Sequence, residues 1–157
     1  MELPMSIEVD EYVPCHVSTY KEFVGGQYLC VRDKNDATIF EMKYEPVYGI
    51  IRDITLTCYN KLTPLPMMNS MKISLGLPIL NVSLLKEQRY VAIEQDIHVS
   101  VEKNLLIHWG DVGNAKELIA FKDLGFYIYN NELVGCQVSG LSEKQLEAIR
   151  SLCMPAS

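Results

Sequence analysis

Between Phe121 and Pro155 the chain reads FKDLGFYIYNNELVGCQVSGLSEKQLEAIRSLCMP, and nearly every local rule of backbone geometry agrees within it. Two β-like runs, Phe126–Tyr129 and Leu133–Val138, flank Asn130-Asn131, and asparagine tolerates the positive φ of a tight hairpin turn. Ser142 stands as an N-cap with Gln145 three positions on, the spacing of a capping box, and Leu141 and Leu146 are placed for the accompanying hydrophobic staple. Leu146, Ile149 and Cys153, helped by Leu152, make one apolar stripe, and Pro155 ends the helix. The stretch predicts a hairpin with a short helix packed on it. It is architecture and carries no chemistry.

Upstream, the dominant period is two. In Ile50–Tyr59, Ile54, Leu56 and Cys58 alternate with Thr55, Thr57 and Tyr59, the pattern of a half-buried strand. Tyr28–Val31 and Thr38–Tyr44 are further strands around a turn at Asp33–Asp36, so the first half reads as an antiparallel meander. Val17–Val24 predicts a short N-terminal helix that Gly25-Gly26 stops. Tyr90–Val101 reads as one long strand, with Val91, Ile93, Ile97, Val99 and Val101 on one face and Ala92, Glu94, Asp96, His98 and Ser100 on the other. Glu102–Asn104 is a turn, and Leu105–Trp109 is the return strand. Gly110–Gly113 is a loop, and Glu117–Phe121 leads into the C-terminal unit.

Residues 60–82 depart from this rhythm. Pro64, Pro66, Gly76 and Pro78 are interleaved with Met67, Met68, Met71, Leu75 and Leu77. Proline cannot donate to a sheet ladder, so this is a wrapped connection or an edge segment. Its methionines either fill the space beneath the loop or offer an adaptable surface. The halves share a rhythm of strand pairs without a recognisable sequence repeat. The expected fold is a single domain over 1–157, α+β, mainly antiparallel sheet of meanders and hairpins, with a short C-terminal helix and the N-terminal helix above.

Composition narrows the function. No window reaches the roughly 18 uncharged apolar residues of a membrane span. The acidic start, MELPMSIEVDEYV, lacks the basic and apolar regions of a secretory signal, so a cytoplasmic location is expected. Five cysteines, Cys15, Cys30, Cys58, Cys136 and Cys153, include no C-x-x-C pair and read as reduced thiols. With 14 basic against 20 acidic residues the chain carries −6. The basic side chains are scattered singly, which argues against nucleic acid as a partner. An acidic surface suits a basic protein partner, or serves solubility.

A search for chemistry returns little. His16, His98 and His108 form no H-E-x-x-H or H-x-x-x-H pattern, and Cys15 beside His16 is neither a metal-ligand spacing nor evidence of a dyad. There is no G-x-S-x-G elbow, and Gly110-Asp111-Val112-Gly113 lacks the third glycine and the lysine of the nucleotide loops. No catalytic, cofactor-binding or metal-binding residue is therefore expected. The hairpin would bring His98 and His108 face to face with Asp111 nearby, which keeps open a small metal-dependent or acid–base enzyme. The candidate partner-binding residues are Glu94, Asp96, His98 and Glu102, which the alternation lines up on one wet strand face.

The layout of FEM…YEPVYGIIRDITLTCYNK, the Pro-rich middle and FKDLGFYIYNNELVGCQVSGLSEKQLEAI, across roughly residues 37–60 and 117–150, resembles small bacterial proteins encoded beside polymorphic or contact-dependent toxins. The resemblance implies a cytoplasmic immunity protein that binds its cognate toxin domain and blocks it, often with an acidic surface. It carries over no residue assignments. Two alternatives stand beside it: the enzyme using His98, His108 and Asp111, and a homo-oligomeric structural subunit joined through the Met-rich middle.

Overall fold

A computed structural model describes residues 5–19, 26–81 and 90–152. Its chain, expected as one domain, divides into two compact units, Met1–Tyr59 with Pro78–Gln95 and Asn60–Leu77 with Asp96–Ser157. The fold is α+β and sheet-dominated, as the alternation predicts.

The first unit holds β1 (Ser6–Glu8), β2 (Cys15–Ser18), β3 (Gln27–Arg32), β4 (Ile39–Tyr44), β5 (Ile51–Cys58) and a later strand, β7 (Tyr90–Glu94). They form one sheet in the order β1-β2-β5-β4-β3-β7, antiparallel throughout except for the β3–β7 pair. Register sends Cys15, Val17, Val31, Phe40, Met42, Ile54 and Leu56 to one face, and all are buried. His16, Tyr28, Glu41, Lys43 and Thr55 take the other face. Asp36, at φ 54°, and Gly49, at φ 79°, supply the left-handed conformations that the two turns around β4 require.

The predicted N-terminal helix is not what the described part of Val17–Val24 forms. Val17 and Ser18 end β2, which is paired on both sides by β1 and β5. A β-branched residue on a pleated, buried surface is favoured there over the first turn of a helix. Positions 20–24 of that expectation lie outside the described residues.

The second unit holds β6 (Lys72–Leu75), β8 (His98–Val101), β9 (Leu105–His108), β10 (Glu117–Phe121), β11 (Leu124–Tyr129), β12 (Glu132–Val138) and α1 (Glu143–Ser151). The sheet order is β6-β10-β11-β12-β9-β8, with β6–β10 the parallel pair. Asn130 and Asn131 adopt φ 51° and 63°, the left-handed pair expected of the β11–β12 turn. The capping box is complete: Ser142 Oγ accepts from Gln145 N, and Gln145 Oε1 accepts from Ser142 N. Leu141, Leu146 and Ile149 are buried, which fixes the inward side of α1. Cys153 and Pro155 lie outside the described residues.

The two sheets repeat one another. Taken from β1, the first runs β1-β2-β5-β4-β3; taken from β8, the second runs β8-β9-β12-β11-β10. Chain order, strand order and antiparallel polarity all correspond. In each, the third strand of the series, β3 or β10, pairs in parallel with a sixth strand taken from the segment between the series. Register shifts also recur in the matching pairs β4–β5 and β11–β12. The repeat is one of topology and leaves no trace in residue identity.

Candidate functional site

The long strand expected over Tyr90–Val101 is two strands that belong to different sheets. Gln95 N donates to Arg32 O at 3.0 Å, prolonging the β3–β7 pairing by one bond. The chain then leaves the ladder at residues 95–97 and re-enters pairing as β8 against β9. A run of alternating residues fits any sheet edge, so it cannot reveal a change of sheet partway along. The four predicted contact residues are accordingly divided. Glu94 ends β7 opposite Arg32 in the first unit, whereas Asp96, His98 and Glu102 belong to the second. All four are exposed. The carboxylates of Glu94, Asp96 and Glu102 make no ion pair or hydrogen bond among the described residues.

His98 and His108 do face each other. They are register partners in β8–β9, with ring centroids 5.1 Å apart and planes inclined by 26°. Nδ1 of His108 is buried and meets no hydrogen-bond partner among the described residues. Burial, and then the neighbouring His98, hold the His108 pKa below the ordinary histidine value, against a weaker backbone interaction with Gly110. Asp111 does not join them. Its carboxylate accepts from Asn114 N at 3.2 Å and Asn114 Nδ2 at 2.7 Å, capping the 3-10 turn Val112–Asn114. Among the described residues no group of three or more His, Cys, Asp or Glu is placed to hold a metal ion.

The best-built polar cluster is one that the sequence reading leaves out. His16 on β2 lies between Asp53 on β5 and Glu8 on β1. Its Nε2 is 2.8 and 2.9 Å from the two Asp53 oxygens, and its Nδ1 is 3.7 Å from Glu8. The hydrogen bond to Asp53, chiefly, raises the His16 pKa, with partial burial opposing it. A shallow cleft of about 170 Å³, lined by Glu8, Asp10, Val13, His16 and Thr55, opens beside it. Asp53 engages Nε2, and Glu8 stands at ion-pair distance from Nδ1, so both carboxylates favour the protonated ring.

The thiols follow the expected pattern. Cys15, Cys30 and Cys136 are buried, Cys58 is half-buried, and none of these four is in a disulfide among the described residues. Burial pushes Cys15 up to about 12. The Met-rich segment fills space beneath the loop, one of its two expected roles. Met68 and Met71 pack on the cluster of Leu106, Val112, Ala115, Tyr127 and Val134, whereas Met67 is 90% exposed.

No protein-family model matches this chain, and no curated protein matches it.

Proposed function

We propose that the chain is a binding protein, an immunity protein that neutralises a cognate bacterial toxin domain by covering its active or substrate-binding surface. Its partner is basic, and the pair meets in the cytoplasm. The observation that carries the reading is the uncompensated negative charge. Glu94, Asp96 and Glu102 are exposed, and their carboxylates meet no ion-pair or hydrogen-bond partner among the described residues, on a chain of net charge −6. Unpaired exposed carboxylates steer a cationic surface toward encounter and fix its register, acting mainly on the association rate. The resemblance in layout points the same way.

The test is co-purification with the toxin domain encoded beside this chain, followed by binding measurements. Reversal of Asp96 and Glu102 together, to Lys, is expected to weaken binding about tenfold or more, through a slower kon and a flatter salt dependence. Glu94→Lys is a separate arm, because it lies in the other unit. Unchanged Kd and kon in both arms would remove these carboxylates from the proposal, and failure to co-purify would remove the function.

A further inference from the structure

We propose that the outer edge of β6 is a strand-pairing surface whose occupant is β6 of a second copy of this chain, antiparallel, about a twofold axis at Ser74.

The backbone gives the first reason. β6 is the terminal strand of its sheet among the described residues. Lys72 N donates to Lys116 O at 3.0 Å and Gly76 N to Ala120 O at 2.8 Å, so the even-numbered residues turn their amides toward β10. Alternation then directs the N–H and C=O groups of Ile73 and Leu75 away from β10, to the open edge. These same residues carry the exposed apolar side chains, Ile73 at 64% and Leu75 at 91%. An unpaired edge with apolar side chains is a template for another strand unless charge, proline or a bulge protects it. Here Lys72 is the single charged residue between Leu62 and Leu85, and Pro64, Pro66 and Pro78 fall outside the strand.

The occupant follows from self-complementarity. With the axis at Ser74, Ile73 stands opposite Leu75 of the second copy, and Leu75 opposite its Ile73. Each pair exchanges two backbone hydrogen bonds. The four side chains meet on the face that Leu118 and Ala120 share in register, as cross-strand apolar pairs. Charge allows it as well. The two Lys72 side chains lie at opposite ends of the pairing. The nearest carboxylate, Glu117, accepts from Ser74 Oγ at 3.1 Å and sits on the far side of β6. Two β6 strands therefore stand between it and its counterpart in the second copy. On a chain of net charge −6 this strip, which carries one lysine and no acidic residue, is where two copies approach with little repulsion. The proposal is independent of the toxin-binding reading, since none of Glu94, Asp96, His98 or Glu102 takes part.

The test is the mass of the full chain by sedimentation equilibrium over a wide concentration series. A reversible monomer–dimer equilibrium is expected. Leu75→Lys acts twice in a symmetric interface and should weaken it by at least about tenfold. Ile73→Pro removes only an outward N–H and should do the same, while the equally exposed Met67→Lys leaves the dimer intact. Both β6 variants replace exposed residues, and unchanged far-ultraviolet dichroism verifies their fold. Ser74→Cys places two thiols opposite each other and should give a covalent dimer on oxidation that the unsubstituted chain does not form. A wild-type monomer at every concentration, or a dimer that survives Leu75→Lys and Ile73→Pro, overturns the proposal. A dimer that Ser74→Cys fails to cross-link overturns its register. A chain whose β6 amides are protected only when the toxin domain is added assigns the edge to that occupant and also overturns it.

Discussion

Nε2 of His16 lies 2.8 and 2.9 Å from the two carboxylate oxygens of Asp53, a partner 37 residues away. Register pairs His16 with Thr55 and Asp53 with Ser18, so the contact runs diagonally across β2–β5. Because Asp53 raises the His16 pKa, the folded chain holds this proton more tightly than the unfolded chain does. The associated stability is present in full below the unfolded histidine value, near 6.5, and is lost as pH rises through the higher folded value. Urea midpoints measured across that window should fall with rising pH, modestly, since His16 is partly exposed. Asp53→Asn should remove this slope, and an unaltered slope in that variant would assign it to another group.

His108 should act in the opposite sense. Its folded pKa is depressed by burial and by His98. Its contribution is therefore complete above the unfolded value and is lost as pH falls from there through the lower folded value. Chemical-shift titration should place the His108 midpoint below the ordinary histidine value, and His98→Ala should move it upward. A His108 midpoint at or above the ordinary value would contradict this geometry.

Ser142→Ala removes the acceptor of Gln145 N and leaves a donor at the start of α1 unsatisfied. The expected cost is about 1 kcal/mol, seen as a fall in Tm of about 2–4 °C for a chain of this size. Differential scanning calorimetry measures it directly.

Gly135 is spatially obligatory. A Cβ there would stand 2.8 Å from Val112 Cγ1, 3.0 Å from His108 Cβ and 3.1 Å from the Ile107 carbonyl oxygen. Two of the three are close to rigid backbone, so little can yield. Gly135→Ala should destabilise by about 1–3 kcal/mol, read from urea midpoints at unchanged m-value.

Alkylation under native conditions should reach Cys58 before Cys15, Cys30 or Cys136. Cys58 is only half-buried, although its Sγ lies 3.7 Å from the Asp36 carbonyl and its pKa too is raised, mainly by burial. Cys15, pushed up to about 12 and wholly enclosed, should react only on unfolding. Peptide mass mapping after brief labelling separates these cases.

The fold is legible in the sequence wherever its cause is local. The asparagine turn, the capping box and the alternation of Ile54 and Leu56 each rest on neighbours within a few residues, and each matches the structure. At the end of β5 the alternation inverts, Cys58 being half-buried and Tyr59 buried, where the β4–β5 register shifts. What escapes is long-range pairing. Nothing in Tyr90–Glu94 states that it joins β3 in parallel, nor in Lys72–Leu75 that it joins β10. The same blindness hides the His16 cluster. Alternation around Ile54 already puts Asp53 and Thr55 on the open face of β5, but reading Val17 as helical removes the strand that brings His16 beside them. The single strand expected to carry the acidic row is two strands for the converse reason, because a periodic pattern persists through a point where the chain changes sheet.

The placement of the sixth strands bears on how the chain is made. β3 finds its parallel neighbour only in Tyr90–Glu94, far along the chain and after β6 has already been laid down. During synthesis from the N-terminus, five strands of the first sheet emerge with one side of β3 unfilled, while β6 emerges before the β10 it will accompany. Each sheet thus spends part of translation with a bare flank, and neither can be completed before the stretch from Asn60 to Gln95 has left the ribosome. Cutting the gene between the two strand series would strip both products of their closing strand or leave one with a surplus, so the halves are not separable modules despite their shared topology.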